Sequence, residues 1–464
     1  MLAVARVTTL PFAADAVAQY LARVATVARM TPDWAVAHPD GYDVGGPLLS
    51  WDSAAARGTP GDPRPVLAHM VLSGWTTNSR VEVSLAPAPG AAPATTLCTR
   101  VEFEVRPEAR VRRIGGPLHD VAAASVARLL DAQHTRVVGD LASLAPLALS
   151  PPRTIAITGS SGLIGRALAE LLRAGGHRVV RIVRPASLAG ASPKPDEVLW
   201  QPPEAGSPGS IDARGLEGLD AVVHLAGEGI ASGRWTRRKR ERIRASRVEG
   251  TRLLARTLAA LERRPSVLVM ASGIGYYGDR AAEELTESSS LGSGFLAEVA
   301  RDWEAAADAA RSANIRVVAL RIGQVLSLRG GALPVLVRPF RLGLGPIFAS
   351  GEQYWSWITL DDVLAVINRS IASSDLSGPI NTTAPVPVTM AEFAGTLARL
   401  LERPLFARVP AWTLKAGLGD MAEAVLTSTR AVPDRLRTLG FTFRHPRIEG
   451  ALRWELGTPA PARS

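Results

Sequence analysis

Three glycines in Thr158-Gly159-Ser160-Ser161-Gly162-Leu163-Ile164-Gly165 have the spacing that brings a backbone against a dinucleotide. Gly159 permits a tight turn, Gly162 lets the backbone approach a pyrophosphate, and Gly165 lets a helix pack closely on the preceding strand. The phosphates would rest on that helix's N-terminus, where unpaired N–H groups and the helix dipole favour negative charge. The apolar run Thr154-Ile155-Ala156-Ile157 precedes the turn and Arg166-Ala167-Leu168-Ala169-Glu170-Leu171-Leu172 follows it, the strand–turn–helix order such a site needs. The next strand, Arg178 to Arg184, ends in Arg184, with Arg181 shortly before it. An acidic residue at that end would accept the ribose 2′-hydroxyl of NAD, whereas an arginine accommodates the 2′-phosphate of NADP. NADP is therefore expected in preference to NAD.

Further along, Val222-Val223-His224-Leu225-Ala226-Gly227-Glu228 runs an apolar strand into a turn of small residues. Leu225, Ala226, Gly227 and Glu228 would pass close to the cofactor's ribose and adenine. His224 lies inside the apolar strand and reads as buried and structural rather than as an acid or base. Arg321 ends a strand and is either a contact for an anion or carboxamide or a structural residue. The aromatic and polar edge from Ser350 to Thr359 borders the expected substrate pocket, with Gln353 and Trp355 as contacts. Asp361 and Asp362 resemble paired metal carboxylates, but neighbours at a helix start point in different directions, and capping and the helix dipole explain them. No metal site is expected.

The elements that must position these residues follow from periodicity. From Arg153 onward strands and helices alternate, which implies a parallel sheet with helices on both faces. Expected strands are 154–158, 179–183, 221–225, 267–271 and 317–322; expected helices are 166–174, 240–261 and 295–312. A helical block at 390–403 and 411–427 closes the chain. Before the proline-marked linker at 146–153, a strand at 4–10, a helix at 13–30, strands at 66–72, 80–85 and 99–105 and a long helix at 117–141 are expected. That order describes an α+β helix-grip fold of the START or polyketide-cyclase type. The expected fold is thus α/β, a Rossmann-type doubly wound parallel sheet with a small C-terminal helical subdomain, preceded by the helix-grip domain. The boundaries are 1–145, linker 146–153, 154–400 and 401–458.

The 464 residues allow two to four domains. No apolar run reaches the roughly 18 residues of a membrane span, and the N-terminus lacks the basic-then-apolar layout of a signal peptide. Cys98 is the only cysteine, which excludes an intrachain disulfide and a cysteine-rich metal site. A cytoplasmic protein is expected. The net charge of +10 invites a nucleic-acid partner, but Lys194, Lys239 and Lys415 are the only lysines and the arginines are spread along the chain. The dense cluster from Arg234 to Arg242 reads as a solvated helix start rather than an anion site. No nucleic-acid partner is expected; the partner is a small-molecule substrate.

The glycine turn, the Val-Val-His-Leu-Ala-Gly-Glu segment, Ala271-Ser272-Gly273-Ile274-Gly275-Tyr276-Tyr277-Gly278-Asp279 and Leu320-Arg321-Ile322-Gly323 together resemble an extended short-chain dehydrogenase. Adding 378–385, Val432-Pro433-Asp434-Arg435-Leu436 and 440–446, residues 153–457 resemble the NAD(P)-dependent epimerase-family proteins that end in a domain of unknown function. Some members carry a START-like N-terminal domain. The resemblance implies hydride chemistry with a Tyr general acid/base and a Lys four residues later, whose ammonium lowers the tyrosine pKa. Four residues before Lys194, Lys239 and Lys415 stand Gly190, Trp235 and Ala411, so no Tyr-x-x-x-Lys exists in this chain. Anchoring the relevant helix on Glu304 places Leu296 and Ala300 where the pair belongs. The resemblance puts Ser272 or Gly273 at the family's hydroxyl position, Ser272 polarising a substrate oxygen. Tyr276 and Tyr277 could supply a phenol, and Glu298 and Arg301 could face the cleft. The expected activity is NADP-dependent oxidation or reduction of a carbonyl or alcohol. The alternatives are a non-catalytic NADP-binding protein that senses or presents a ligand, including an apolar one in the N-terminal domain, and a nucleotide-sugar epimerase.

Overall fold

The computed structural model describes residues 2–21, 66–68, 76–88, 94–105, 118–148, 151–188, 192–203, 207–231 and 233–458. The chain divides into two compact units, Met1–Ala148 with Glu170–Gly176 and Arg453–Ser464, and Leu149–Ala169 with His177–Leu452.

In the first unit, β1 (Leu2–Leu10), α1 (Ala14–Leu21), β2 (Val66–Ala68), β3 (Thr76–Pro87), β4 (Thr95–Val105) and α2 (Leu118–Ala148) follow one another. The strands form an antiparallel sheet in the order β1-β4-β3-β2. Polar pairs tie α2 to the sheet and to α1: His134 bridges Thr8 Oγ1 at 2.7 Å and Thr99 Oγ1 at 2.9 Å, and Tyr20 of α1 donates to Asp140 at 2.7 Å. The helix runs on to Ala148 with Pro146 in its last turn, past the point where the linker was expected to begin. Residues 22–30 of the expected first helix and 69–72 of an expected strand lie outside the described residues.

The second unit is built on a sheet of eight strands. In chain order its strands and helices are β5 (Thr154–Thr158), α3 (Leu163–Ala174), β6 (Arg178–Val183), β7 (Glu197–Gln201), β8 (Ser210–Ile211), β9 (Ala221–His224), α4 (Arg237–Ala259), β10 (Val267–Gly273), the short β11 (Glu284–Leu285) outside the sheet, α5 (Phe295–Ala305), α6 (Asp308–Ser312) and β12 (Arg316–Ile322). The last sheet strand is Gly378–Thr382. The order is Gly378–Thr382, β12, β10, β9, β5, β6, β7, β8, parallel throughout except for the terminal β7–β8 pair. Direction of growth reverses between β5 and β9, and in such sheets ligands bind where the order switches, beyond the carboxyl ends of the strands. The strands bury both faces, as the unbroken burial of Ala221–His224 and Val267–Ser272 shows, which explains their near-continuous apolar composition. Trp200, Leu254, Leu258, Met270 and Trp303 belong to the core over this sheet. The single helix expected at 295–312 is two, because the helix stops at Ala305 and restarts at Asp308. β7, β8 and Gly378–Thr382 were not anticipated as sheet strands.

Candidate functional site

The glycine turn leaves β5 at Thr158 and enters α3 at Leu163. Gly159 has φ +66°, and a Cβ there would lie 2.9 Å from the Ala226 nitrogen and the Leu225 carbonyl. A Cβ on Gly165 would lie 2.2 Å from the Gly159 carbonyl oxygen. Gly162, by contrast, is exposed, and an added Cβ would approach only the Gly159 oxygen, at 3.3 Å. Two glycines are thus required by the protein's own backbone, while the third leaves space on the solvent side. That is the cradle a pyrophosphate fits, with the N–H groups of the first helical turn facing it. Ser160 and Leu163 are half-buried and Ser161 is exposed along this turn. Ile164 reaches the wall of a cleft of about 440 Å³.

Thr158 fastens the turn to β9. Its hydroxyl accepts hydrogen bonds from the Leu225 and Ala226 amides at 3.0 and 3.1 Å and meets His224 Nδ1 at 2.8 Å. His224 Nε2 meets Thr251 Oγ1 at 3.0 Å. The imidazole is fully buried, and desolvation lowers its pKa to about 4, so it is neutral and structural as expected. Leu225, Gly227 and Glu228 continue into the cleft wall. Glu228 is held below the ordinary carboxylate range by the Lys239 ammonium at 2.6 Å, with the fields of Arg242 and Arg184 acting in the same direction. Arg184 is exposed at the end of β6, whereas Arg181 pairs with Glu197 on β7 and turns away from the turn.

The basic cluster before and within α4 is anchored rather than simply solvated. Arg234 donates to the Ala416 and Gly417 carbonyls, Arg237 pairs with Glu241, Arg240 with Asp420, and Lys239 and Arg242 with Glu228. Arg247, from the same helix, was not anticipated. It lines the cleft, donates to the Glu228 carbonyl at 2.9 Å and stacks over Trp303, and burial lowers its pKa to about 10. No motif marks it; only the turn of α4 brings it there.

At the opposite wall the expected catalytic residues fall differently from the sequence-based expectation. Ser272 Oγ donates to Glu304 at 2.8 Å. That proton is the one a polarising serine would offer a substrate, so here Ser272 anchors Glu304 instead. Arg321 forks onto the same carboxylate, through Nε at 2.8 Å and a terminal nitrogen at 2.9 Å. Its other terminal nitrogen donates to Tyr277 Oη at 3.0 Å. Burial works against the charge, but these partners keep the guanidinium above its ordinary range. Tyr277 is fully buried and donates to Asn381 at 2.6 Å, and burial pushes its phenol up to about 12. Tyr276 stacks on Arg321 at 3.4 Å. Arg321, Tyr276 and Tyr277 therefore form a braced network behind the wall, and none of the three lines the cleft. Gly273 does line it, and a Cβ there would meet nothing nearer than the Gly275 nitrogen at 3.9 Å.

Leu296 and Ala300 both face the cleft from α5, at the places where the sequence resemblance puts tyrosine and lysine. Glu298 is exposed, and Arg301 pairs with Asp302; both lie off the cleft. Trp355 lines the cleft as expected, whereas Gln353 is buried and bonds the Phe348 carbonyl. Asp362 accepts from the Arg444 and His445 amides at 2.7 and 3.2 Å and Asp361 pairs with Arg444, while Thr359 caps the helix. The two carboxylates hold the C-terminal segment. No group of three or more potential metal ligands occurs among the described residues, and no described helix is long and apolar enough to cross a membrane.

Residues 155–381 match the NAD dependent epimerase/dehydratase family and 409–455 a domain of unknown function, DUF1731. An epimerase family protein of Mycobacterium tuberculosis is 40% identical over 306 residues, which cover 66% of this chain and 98% of that protein. The crystal structure of the nucleoside-diphosphate sugar epimerase from Corynebacterium glutamicum superposes with TM-score 0.76 at 30% identity, over 99% of this chain and 91% of that one. The human epimerase family protein SDR39U1, solved with NADPH, superposes with TM-score 0.57 at 29% identity, over 66% of this chain and all of that one. With its sheet order, its glycine cradle and these relatives, the chain belongs to the NAD-dependent epimerase/dehydratase family, in the branch that ends in DUF1731.

Proposed function

We propose that the second unit binds NADP(H) in preference to NAD(H) and uses it for hydride transfer between nicotinamide and a small carbonyl or alcohol held in the cleft. The observation that carries this is the glycine cradle opening beside a cleft of about 440 Å³ at the switch point of the sheet. Gly159, Ser160, Ser161, Gly162, Leu163, Ile164 and Gly165 would hold the pyrophosphate. Leu225, Ala226, Gly227 and Glu228 would border ribose and adenine. The 2′-phosphate falls to Arg184, and the NADPH complex of the human relative supports that choice. The bound nicotinamide supplies hydride chemistry. The protein orients the ring, keeps water out with Leu296, Trp303 and Trp355, and braces the wall through Ser272, Glu304 and Arg321.

Calorimetric titration with NADPH and NADH tests the reading. Selective NADPH binding, weakened by Arg184→Ala and abolished by Gly162→Val, is expected; binding of neither nucleotide would refute it. The apolar Leu296 and Ala300 favour a second reading, cofactor binding without turnover. The same pair weighs against sugar epimerisation by a Tyr–Lys mechanism. We read the first unit as a START-like helix-grip domain presenting an apolar ligand, with units at 1–145, 154–400 and 401–458. Lipid extraction from residues 1–150 expressed alone checks that role, and an empty extract would remove it.

A further inference from the structure

With Leu296 and Ala300 where the resemblance puts the tyrosine and lysine, and the Ser272 hydroxyl committed to Glu304, the proton of hydride transfer needs another carrier. The titratable side chains that line the cleft are Glu228, Arg247, Tyr354 and Glu423. Glu228 is committed to Lys239, and Arg247 remains a cation bonded to a carbonyl. The Tyr354 ring packs under the Arg430 guanidinium, 5.2 Å from its centroid. Glu423 is different. It begins the short helix Glu423–Leu426, inside the C-terminal DUF1731 match, and its carboxylate has no hydrogen-bond or ion-pair partner among the described residues.

Its position is as informative as its freedom. A Cβ built on Gly294 would lie 2.8 Å from Glu423 Oε1. Gly294 is the residue immediately before α5, and Leu296, in the first turn of that helix, occupies the tyrosine's place. The carboxyl group therefore stands beside the helix that has lost the proton donor, and on the same cleft. The glycine at 294, with φ +103°, leaves the room it occupies.

We propose that Glu423, supplied by the C-terminal domain, is the acid–base residue of this cleft. The proposal rests on the cofactor reading given above. As the substrate carbon accepts hydride from a dihydronicotinamide, the carbonyl π pair moves onto oxygen, and that oxygen takes the proton from the Glu423 carboxyl group. The products are an alcohol, the oxidised nicotinamide and a Glu423 carboxylate. Half-exposed, the carboxylate regains its proton from water; oxidation of an alcohol runs the same steps in reverse. Partial burial raises the Glu423 pKa, opposed by the field of Arg240 from α4 and assisted by that of Asp420 in the turn just before its own helix. Arg240 is itself paired with Asp420 at 3.1 Å, so the group is not neutralised by a cation of its own.

The test uses the full-length protein with NADPH, and nitrobenzaldehyde and phenanthrenequinone as carbonyl probes. NADPH affinity is measured first by calorimetry, so that failure of the cofactor reading shows as absent binding. Wild type is expected to reduce a probe at a rate that falls as pH rises and Glu423 loses its proton. Glu423→Gln should lower kcat on the order of 100-fold, the usual scale of general acid catalysis, with unchanged NADPH affinity and with that pH limb gone. Glu423→Asp should keep the limb at reduced kcat, which a merely structural role would not produce; it also carries the test if the Gln variant fails to fold. A Gln variant with wild-type kcat and pH profile overturns the proposal. So does an Asp variant without the limb, or a wild type that binds NADPH yet oxidises it with neither probe.

Discussion

His224 is held between two threonine hydroxyls and edge-on to Trp200, with ring centroids 5.7 Å apart. Its folded pKa of about 4 lies below its ordinary value of 6.5. The unfolded chain therefore takes up a proton that the folded chain refuses, and the associated stability is complete above 6.5 and is lost as pH falls towards 4. The full loss is on the order of 3 kcal/mol. Thermal unfolding followed across that window should show a falling midpoint, and His224→Gln should flatten the slope; an unchanged slope would mean that the ring is protonated in the fold. Neutrality was legible in the sequence, because an imidazole within Val222-Val223-His224-Leu225 has no exit to water. Arg321 and Tyr277 were not legible in the same way. Both end or follow apolar strands, as cofactor ligands do, and only the partners Glu304 and Asn381 show that they point behind the wall.

From β5 into α3 two of the three glycines, Gly159 and Gly165, are dictated by nearby backbone, so a short stretch of sequence was enough to find the turn. A methyl group at Gly165 would press on the Gly159 oxygen at 2.2 Å and on its carbonyl carbon at 2.8 Å. Backbone cannot give way as a flexible side chain would, and overpacking of this kind costs about 1–3 kcal/mol. Gly165→Ala should lower the unfolding midpoint and, by pushing α3 off the turn, also remove NADPH binding. Gly162→Val should remove binding at a smaller cost in stability than Gly165→Ala, since its Cβ would meet only the Gly159 oxygen, at 3.3 Å. Finding both variants equally stable would show that α3 is not packed on the turn as described. Helix α5 was harder to read. Its cleft-facing residues are apolar and look like any amphipathic stripe, so periodicity located the helix, and only the family resemblance, anchored on Glu304, put Leu296 and Ala300 where the tyrosine and lysine belong.

The cleft is assembled from segments far apart in the chain, among them Ile164 just past the glycine turn, the end of β10, α5 and the stretch from Glu423 to Thr429 through Ala424 and Thr427. Sequence motifs mark the first two because local backbone demands them, but nothing near Glu423 announces that the chain returns there. The far end of that segment is fastened by Asp362, in the helix Leu360–Ala372, which is 1% exposed and collects the Arg444 and His445 amides together with the Thr359 hydroxyl. Asp361 adds an ion pair to Arg444 at 3.1 Å. Asp362→Ala would leave two main-chain donors without their acceptor, at about 1–3 kcal/mol for each one that stays buried. The cost should fall first on the C-terminal segment, because the parallel sheet keeps its own ladders. Hydrogen exchange should therefore accelerate at 423–445 with little change in β5, β9 and β10, and NADPH affinity should be retained. Carbonyl reduction should fall less than in Glu423→Gln, since residues on both sides of Glu423 keep their own anchors, Asp420 to Arg240 and Ala431 to Ser356 and Thr383. Uniform acceleration through the sheet would instead show that the C-terminal segment and the nucleotide-binding core unfold as one.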